Sequence, residues 1–319
     1  MNGFFAFLLA VLIYPGVVVA ALAAVALTLA RDAGRAFVTR ATVENPVRAI
    51  RGLRTALDRD TLIPDGAAPR IVAALSLAAI ILPLLALILL PVPGNPLVSV
   101  IGMTGDLAAE AGLLLGLPVL RLCLGWALPS PYTRLAADRA ARNLAGAVVV
   151  LALALAATAE QFQTLGLNLA PARTAPATID IFTRLLALLA AAFVAPLLAR
   201  ATPTRDGAED IDLVAGELTE LSGADLARFR IGEAIQLAAV AAFFTAVFLL
   251  PLFPTVSGAG RAILWILGLI FTAGGIGLWE GYTGGVRASG DRPPLNWWLG
   301  LPLLLALLAL VAAAWAARG

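Results

Sequence analysis

Five ionisable residues fall within or at the ends of long apolar runs: Asp106, Glu110, Arg121, Glu233 and Glu280. A charged group at membrane depth costs several kcal/mol unless it is paired or hydrated, so each is a candidate for function. Asp106 and Glu110 are four apart and share one helical face. Glu233 follows closely on Arg230, and Glu280 is followed by Arg287. Carboxylates withdrawn from water exchange protons near neutral pH, and a line of them joined by water would form a proton path. Blander readings stay open beside that one. Asp106 and Glu110 would then mark a wetted helix end, and Glu233 and Glu280 would snorkel to the interface against Arg230 or Arg287.

The rest of the side-chain inventory narrows the chemistry. All 22 basic residues are arginine, because the 319-residue chain has no lysine, and it has no histidine and a single cysteine, Cys123. A protein-held metal, haem or iron–sulfur cluster draws on several His or Cys ligands. We therefore expect no metal site, no cofactor bound by this chain and no catalytic residue of its own. Nucleophile–histidine catalysis is excluded with it, as are Schiff-base and P-loop chemistry, which need lysine.

The elements that must position these acids are membrane helices. Hydrophobic residues make up 61% of the chain and charged residues 13%, and the mean hydropathy is +0.94. Soluble domains lie nearer ~45–50% apolar and ~25% charged. Disordered chains, disulfide scaffolds and nucleic-acid binders are excluded. A spanning helix needs roughly 20 apolar residues. Such runs occur at Phe4–Ala30, Ile71–Pro91, Leu107–Leu128, Leu144–Ala159, Ile179–Ala199, Ile231–Leu252, Ala262–Trp279 and Trp297–Ala317. The expected fold is an all-α, multi-pass membrane protein of about eight spans, residues 1–319 forming one polytopic domain.

Arginine placement sets the orientation. Seventeen arginines follow spans one, three, five and seven, and four lie on the other side. This puts segments 31–70 and 200–230 in the cytoplasm and both termini outside, in the inner (plasma) membrane of the cell. In the first segment Asn45-Pro46 is a helix-start signal. Val47, Ile50, Leu53 and Leu57 then recur at helical spacing, with Arg48, Arg51 and Arg54 on another face. That is an amphipathic interfacial helix, resting on headgroups or lining an entry to an internal chamber. The second segment carries Asp206, Glu209, Asp210, Asp212, Glu217, Glu220 and Asp225. It reads either as a solvated acidic loop or, because Ile211, Leu213, Val214, Leu218 and Leu221 interleave the acids, as one that packs.

The stretch Asp212-Leu213-Val214-Ala215-Gly216-Glu217-Leu218-Thr219-Glu220-Leu221-Ser222-Gly223, followed by Phe229 and Gly232-Glu233-Ala234, resembles the signature loop of one membrane-subunit family. That family comprises the H subunit of respiratory complex I (NADH:quinone oxidoreductase) and its counterparts in formate hydrogenlyase and energy-converting hydrogenases. Tyr14-Pro15-Gly16, Asp60-Thr61-Leu62-Ile63-Pro64, Gly105-Asp106-Leu107, Gly125-Trp126 with Ser130-Pro131-Tyr132, and Glu280 before Arg287 are similar to other family positions in the same order. Departures such as Arg142-Asn143-Leu144, where the family opens a span with acids, resemble a divergent member nearer the hydrogenase branch.

The resemblance implies a non-catalytic subunit that links a cytoplasmic redox arm to antiporter-like membrane subunits. It implies proton-relay roles for Glu217, Glu220, Glu233 and Asp212, with Glu280 at the same depth. It also implies a docking surface for an iron–sulfur, hydrogenase-like or quinone-reductase subunit around Asp210, Ser222, Gly223, Arg228 and Arg230. Quinone is the one small molecule it brings in, in a chamber shared with a partner. Two other functions stay open on the residues alone: a stand-alone secondary transporter, and a structural anchor that has lost proton conduction.

Overall fold

The computed structural model describes residues 3–40, 42–43, 45–61, 64, 66–93, 95–96, 105–167, 177–199, 218, 220–288 and 295–316. Among them no strand forms, and one backbone bridge joins Asp106 to Gly166. Helix α1 (Gly3–Leu12) and helix α2 (Val17–Thr39) are divided at Tyr14-Pro15-Gly16, where the Tyr14–Pro15 peptide is cis. Pro15 has no N–H to offer the preceding turn, so the helix breaks there. Helix α3 (Pro46–Leu57) starts where the sequence says it should: the Asn45 side chain accepts from Val47 N at 3.0 Å, with Pro46 in the first turn. None of its residues is buried, and Arg48, Arg51 and Arg54 are exposed.

Then follow α4 (Pro69–Leu89), α5 (Leu107–Ala127), α6 (Pro131–Phe162) and α7 (Ala177–Leu198). Helix α8 (Gly223–Phe244) runs on through a π turn at Thr245–Leu249 and a 3-10 turn at Leu250–Leu252. The widened turn precedes Pro251, which has no N–H to return to the carbonyl of Val247. Helices α9 (Gly258–Ala288) and α10 (Leu295–Ala316) complete the described chain. Seven helical stretches are long and apolar enough to cross a membrane: Phe7–Thr39, Pro69–Leu89, Leu107–Ala127, Pro131–Phe162, Ile181–Leu198, Gly223–Leu252 and Gly258–Tyr282. The eighth expected span corresponds to α10, whose apolar part Gly300–Ala316 is shorter. The protein is an all-α, multi-pass membrane protein.

Helix α8 is the hub. It packs against α2, α3, α4, α5, α7 and α9. In its span 78% of the apolar window is buried, against 28% in the Gly258–Tyr282 span. Its buried residues include Gly232, Ala238, Ala239, Ala241 and Ala242, small side chains that let neighbouring backbones come close. Pro83 withholds an N–H from the carbonyl of Ala79, one turn back on α4. Gly232 closes on that carbonyl so tightly that a Cβ would stand 2.3 Å from Ala79 O. A similar seam joins α2 to α9, where a Cβ on Gly277 would overlap Arg31 O at 1.8 Å and one on Gly34 would meet Gly274 O at 2.2 Å.

Several boundaries differ from the sequence expectation: α2 runs to Thr39 and α9 to Ala288, past the expected ends at Ala30 and Trp279, and two further shifts move charges onto helices. The short span at Leu144–Ala159 is part of a 32-residue helix, so Arg134, Arg139 and Arg142 lie on α6 itself and not in a loop. Ser130 caps it, accepting from Tyr132 N, and Pro131 opens it; the Ala- and Arg-rich stretch beyond is strongly helix-forming. At ~1.5 Å per residue α6 is about 48 Å long, well beyond a bilayer core. Likewise α8 begins at Gly223, not Ile231, which puts Arg228 and Arg230 on the helix and Glu233 about 15 Å along its axis.

Candidate functional site

Helices α5 and α8 bring two of the in-span charges, Arg121 and Glu233, together. Arg121 on α5 is 2% exposed and is among the largest fully buried side chains. Its Nη1 donates to Glu233 Oε1 at 3.0 Å, closing an ion pair between residues 112 apart in sequence. The other carboxylate oxygen, Oε2, accepts from Arg230 Nη1 at 3.4 Å. Arg230 is one turn back on α8 and its side chain is 53% exposed. Glu233 is thus clasped by a buried and a surface arginine, one on each oxygen.

Glu110, Leu114, Leu117 and Arg121 recur at helical spacing on one face of α5, and all are 0–2% exposed. At the level of Leu114, α8 supplies Gln236, whose Nε2 donates to Leu114 O at 2.6 Å and to Leu198 O at 3.0 Å. Pro118 lacks the N–H that would meet the first of these carbonyls, and the second lies at the last residue of α7. Further out, Glu110 is fully buried, and neither of its carboxyl oxygens has a hydrogen-bond partner among the described residues. Asp106, one turn earlier, is exposed and caps α5 by accepting from Ala109 N at 2.6 Å. The two acids share a face but not an environment: Asp106 fits a wetted end and Glu110 does not.

At the opposite end of α8, Ser222 occupies the cap position and Gly223 opens the helix at φ 61°. A Cβ on Gly223 would lie 2.4 Å from Asp60 O, so only glycine fits both the dihedral and the approach. The Ser-Gly motif and the Asp60 motif, far apart in sequence, therefore meet. Inside this junction Asp225, 3% exposed, accepts from Ser76 Oγ at 2.7 Å and from Arg228 Nη1 at 2.8 Å. Leu218, Leu221 and Phe229 pack below it against Val72, Leu117 and Leu124. Glu220 is half-buried at the edge. Asp210, Asp212 and Glu217 lie outside the described residues.

Glu280 belongs to a separate cluster on the α2–α9 seam. Its Oε2 lies 3.8 Å from Arg31 Nε, and Arg31 in turn pairs with Asp32 at 3.3 Å. Arg31 belongs to α2, and sequence spacing does not reveal it as a partner; the side chain of Arg287 lies outside the described residues. Sequence reasoning singled out Arg121 as an in-span charge but did not pair it with Glu233, and it missed Gln236 altogether. The available signals were an amide inside the apolar run Ile235–Leu237 and a proline four residues after Leu114.

The fold and the site define a multi-pass helical membrane protein with a central helix and an ion pair set between two of its spans. Residues 39–312 match the model of the NADH dehydrogenase family, and the chain belongs to that family, the one that includes the H-type membrane component of complex I. A chain in the solved structure of the membrane-bound sulfane sulfur reductase, an archaeal respiratory membrane complex, has a similar fold. The TM-score is 0.65 at 19% identity, over 97% of this chain and 99% of that one. No curated protein sequence matches.

Proposed function

We propose that this chain is the membrane-anchoring and proton-coupling subunit of a multisubunit complex I-like oxidoreductase. Its arginine-rich side faces the cytoplasm, and an iron–sulfur subunit of hydrogenase-like or quinone-reductase type docks at the Ser222-Gly223 junction with Arg228 and Arg230. Antiporter-like subunits flank it in the bilayer. The observation that carries this reading is the series of buried polar groups along α5 and α8, Asp225, Arg121, Gln236 and Glu110, with the partly buried Glu233 paired to Arg121. Buried charge is costly in a bilayer, and a plain anchor has no need of it. The chain itself supplies no redox centre; it passes the effect of redox chemistry next door into the membrane. Membership of the family and the likeness to a respiratory membrane complex support the complex over a stand-alone transporter.

Purification of the tagged chain from its native membranes in mild detergent tests the proposal. Iron–sulfur and antiporter-like polypeptides should come with it in fixed ratio. Recovery as a lone monomer under every mild condition overturns the subunit reading.

A further inference from the structure

Resting on that reading, we propose that Arg121 is the positioning residue of the coupling site. It holds Glu233 inward as one half of a two-arginine clasp, so that charge on the arginine-rich face is felt at the α5–α8 interface. Three observations lead there. Arg121 is 2% exposed and lies on a transmembrane helix, and a guanidinium at that depth is tolerated only when it is paired. The pair is made across two helices, 3.0 Å from Nη1 to Oε1, so it fixes how α5 and α8 stand to each other as well as the direction of the carboxylate. Finally, the second carboxylate oxygen is held by Arg230, which is 53% exposed and lies in the N-terminal part of α8, the end that Ser222 and Gly223 begin. An acidic group of a docked subunit approaching Arg230 would compete for it with Glu233, shifting the carboxylate toward Arg121. Surface docking and buried charge are thereby joined through one side chain. The guanidinium forks suit this sharing, since each presents several donors in a fixed plane.

A purely structural ion pair makes a different prediction, and this separates the two ideas. A buried pair is often replaced by well-packed apolar residues without loss of stability. In the purified complex, Arg121→Leu/Glu233→Leu should assemble and transfer electrons while proton translocation per electron falls at least tenfold in sealed vesicles. Arg121→Lys, which keeps the charge but not the fork, should retain part of the coupling. Arg230→Gln sits on an exposed rim and leaves the core packing alone; whatever its effect on docking, it should lower the coupling ratio, read per electron in the complex that does assemble, about threefold or more. This variant decides the matter if the double variant fails to assemble. Wild-type coupling in either the assembled double variant or Arg230→Gln overturns the role of Arg121. A wild-type complex that never translocates protons overturns the parent reading instead, and the two failures are told apart by that control.

Discussion

Gln236 on α8 donates to the carbonyl of Leu114 on α5, the group that Pro118 leaves without its helical partner. One amide repairs a proline-broken turn on a neighbouring helix and, through Leu198 O, the end of a third. Three helices are locked at the level where the acids lie.

Replacing Gln236 by Leu leaves both carbonyls unpaired in an apolar interior. The expected loss is about 1–3 kcal/mol, read as a lower thermal midpoint in detergent. Adding Pro118→Ala restores the N–H for Leu114 and should recover part of that loss, so the two changes should be non-additive. Additive losses would show that Gln236 does not serve that carbonyl.

Gly223 and Gly232 are close-approach positions of different kinds. Gly223→Ala meets both a positive φ and the carbonyl of Asp60, whereas Gly232→Ala meets the carbonyl of Ala79 alone. Each should cost more than about 1 kcal/mol. The first should also loosen the docked redox subunit, measured as its recovery with the complex. Equal recovery from the Gly223→Ala variant would separate this junction from docking.

The contrast between Asp106 and Glu110 gives opposite signs. Asp106→Ala removes a helix cap and should destabilise by about 1 kcal/mol. Glu110→Met replaces a buried carboxyl that has no hydrogen-bond partner among the described residues with an apolar side chain, and should leave thermal stability unchanged or higher. If Glu110 is part of the proton path, the same variant lowers proton translocation while it stabilises the fold. A large destabilisation would mean that Glu110 is a packing element held by a strong partner.

Much of this was legible in the chain. Apolar run length placed the spans, and Asn45-Pro46 placed α3 to the residue. Hydropathy sees only the apolar part of a helix, however, so the arginine-bearing start of α6 read as a loop. Pairing across helices left no local trace either. Arg121 and Glu233 are separated by too much chain for spacing to connect them, and Glu280 meets Arg31 because glycines bring α2 and α9 together. Gln236 went unnoticed because an amide carries no charge to draw attention, although Pro118 implied a carbonyl in need of a donor.

Orientation rests on arginine placement and is open to labelling. In a background where Cys123 is replaced by Ser, Thr55→Cys on α3 and Gln163→Cys after α6 occupy exposed positions at the two ends of the bundle. An impermeant thiol reagent added to intact cells should modify the second and spare the first. Modification of Thr55→Cys from outside would invert the topology.

The central claim, that this subunit couples redox chemistry to proton movement through a partly buried, arginine-paired carboxylate, is met most directly at Glu233. The measurement is proton translocation per electron by the Glu233→Gln complex in sealed vesicles, with complex yield as the control. Gln keeps the shape and the contact with Arg121 but carries no negative charge. The account predicts an assembled complex that transfers electrons with little or no proton translocation; a wild-type coupling ratio would contradict it and leave the chain an anchor.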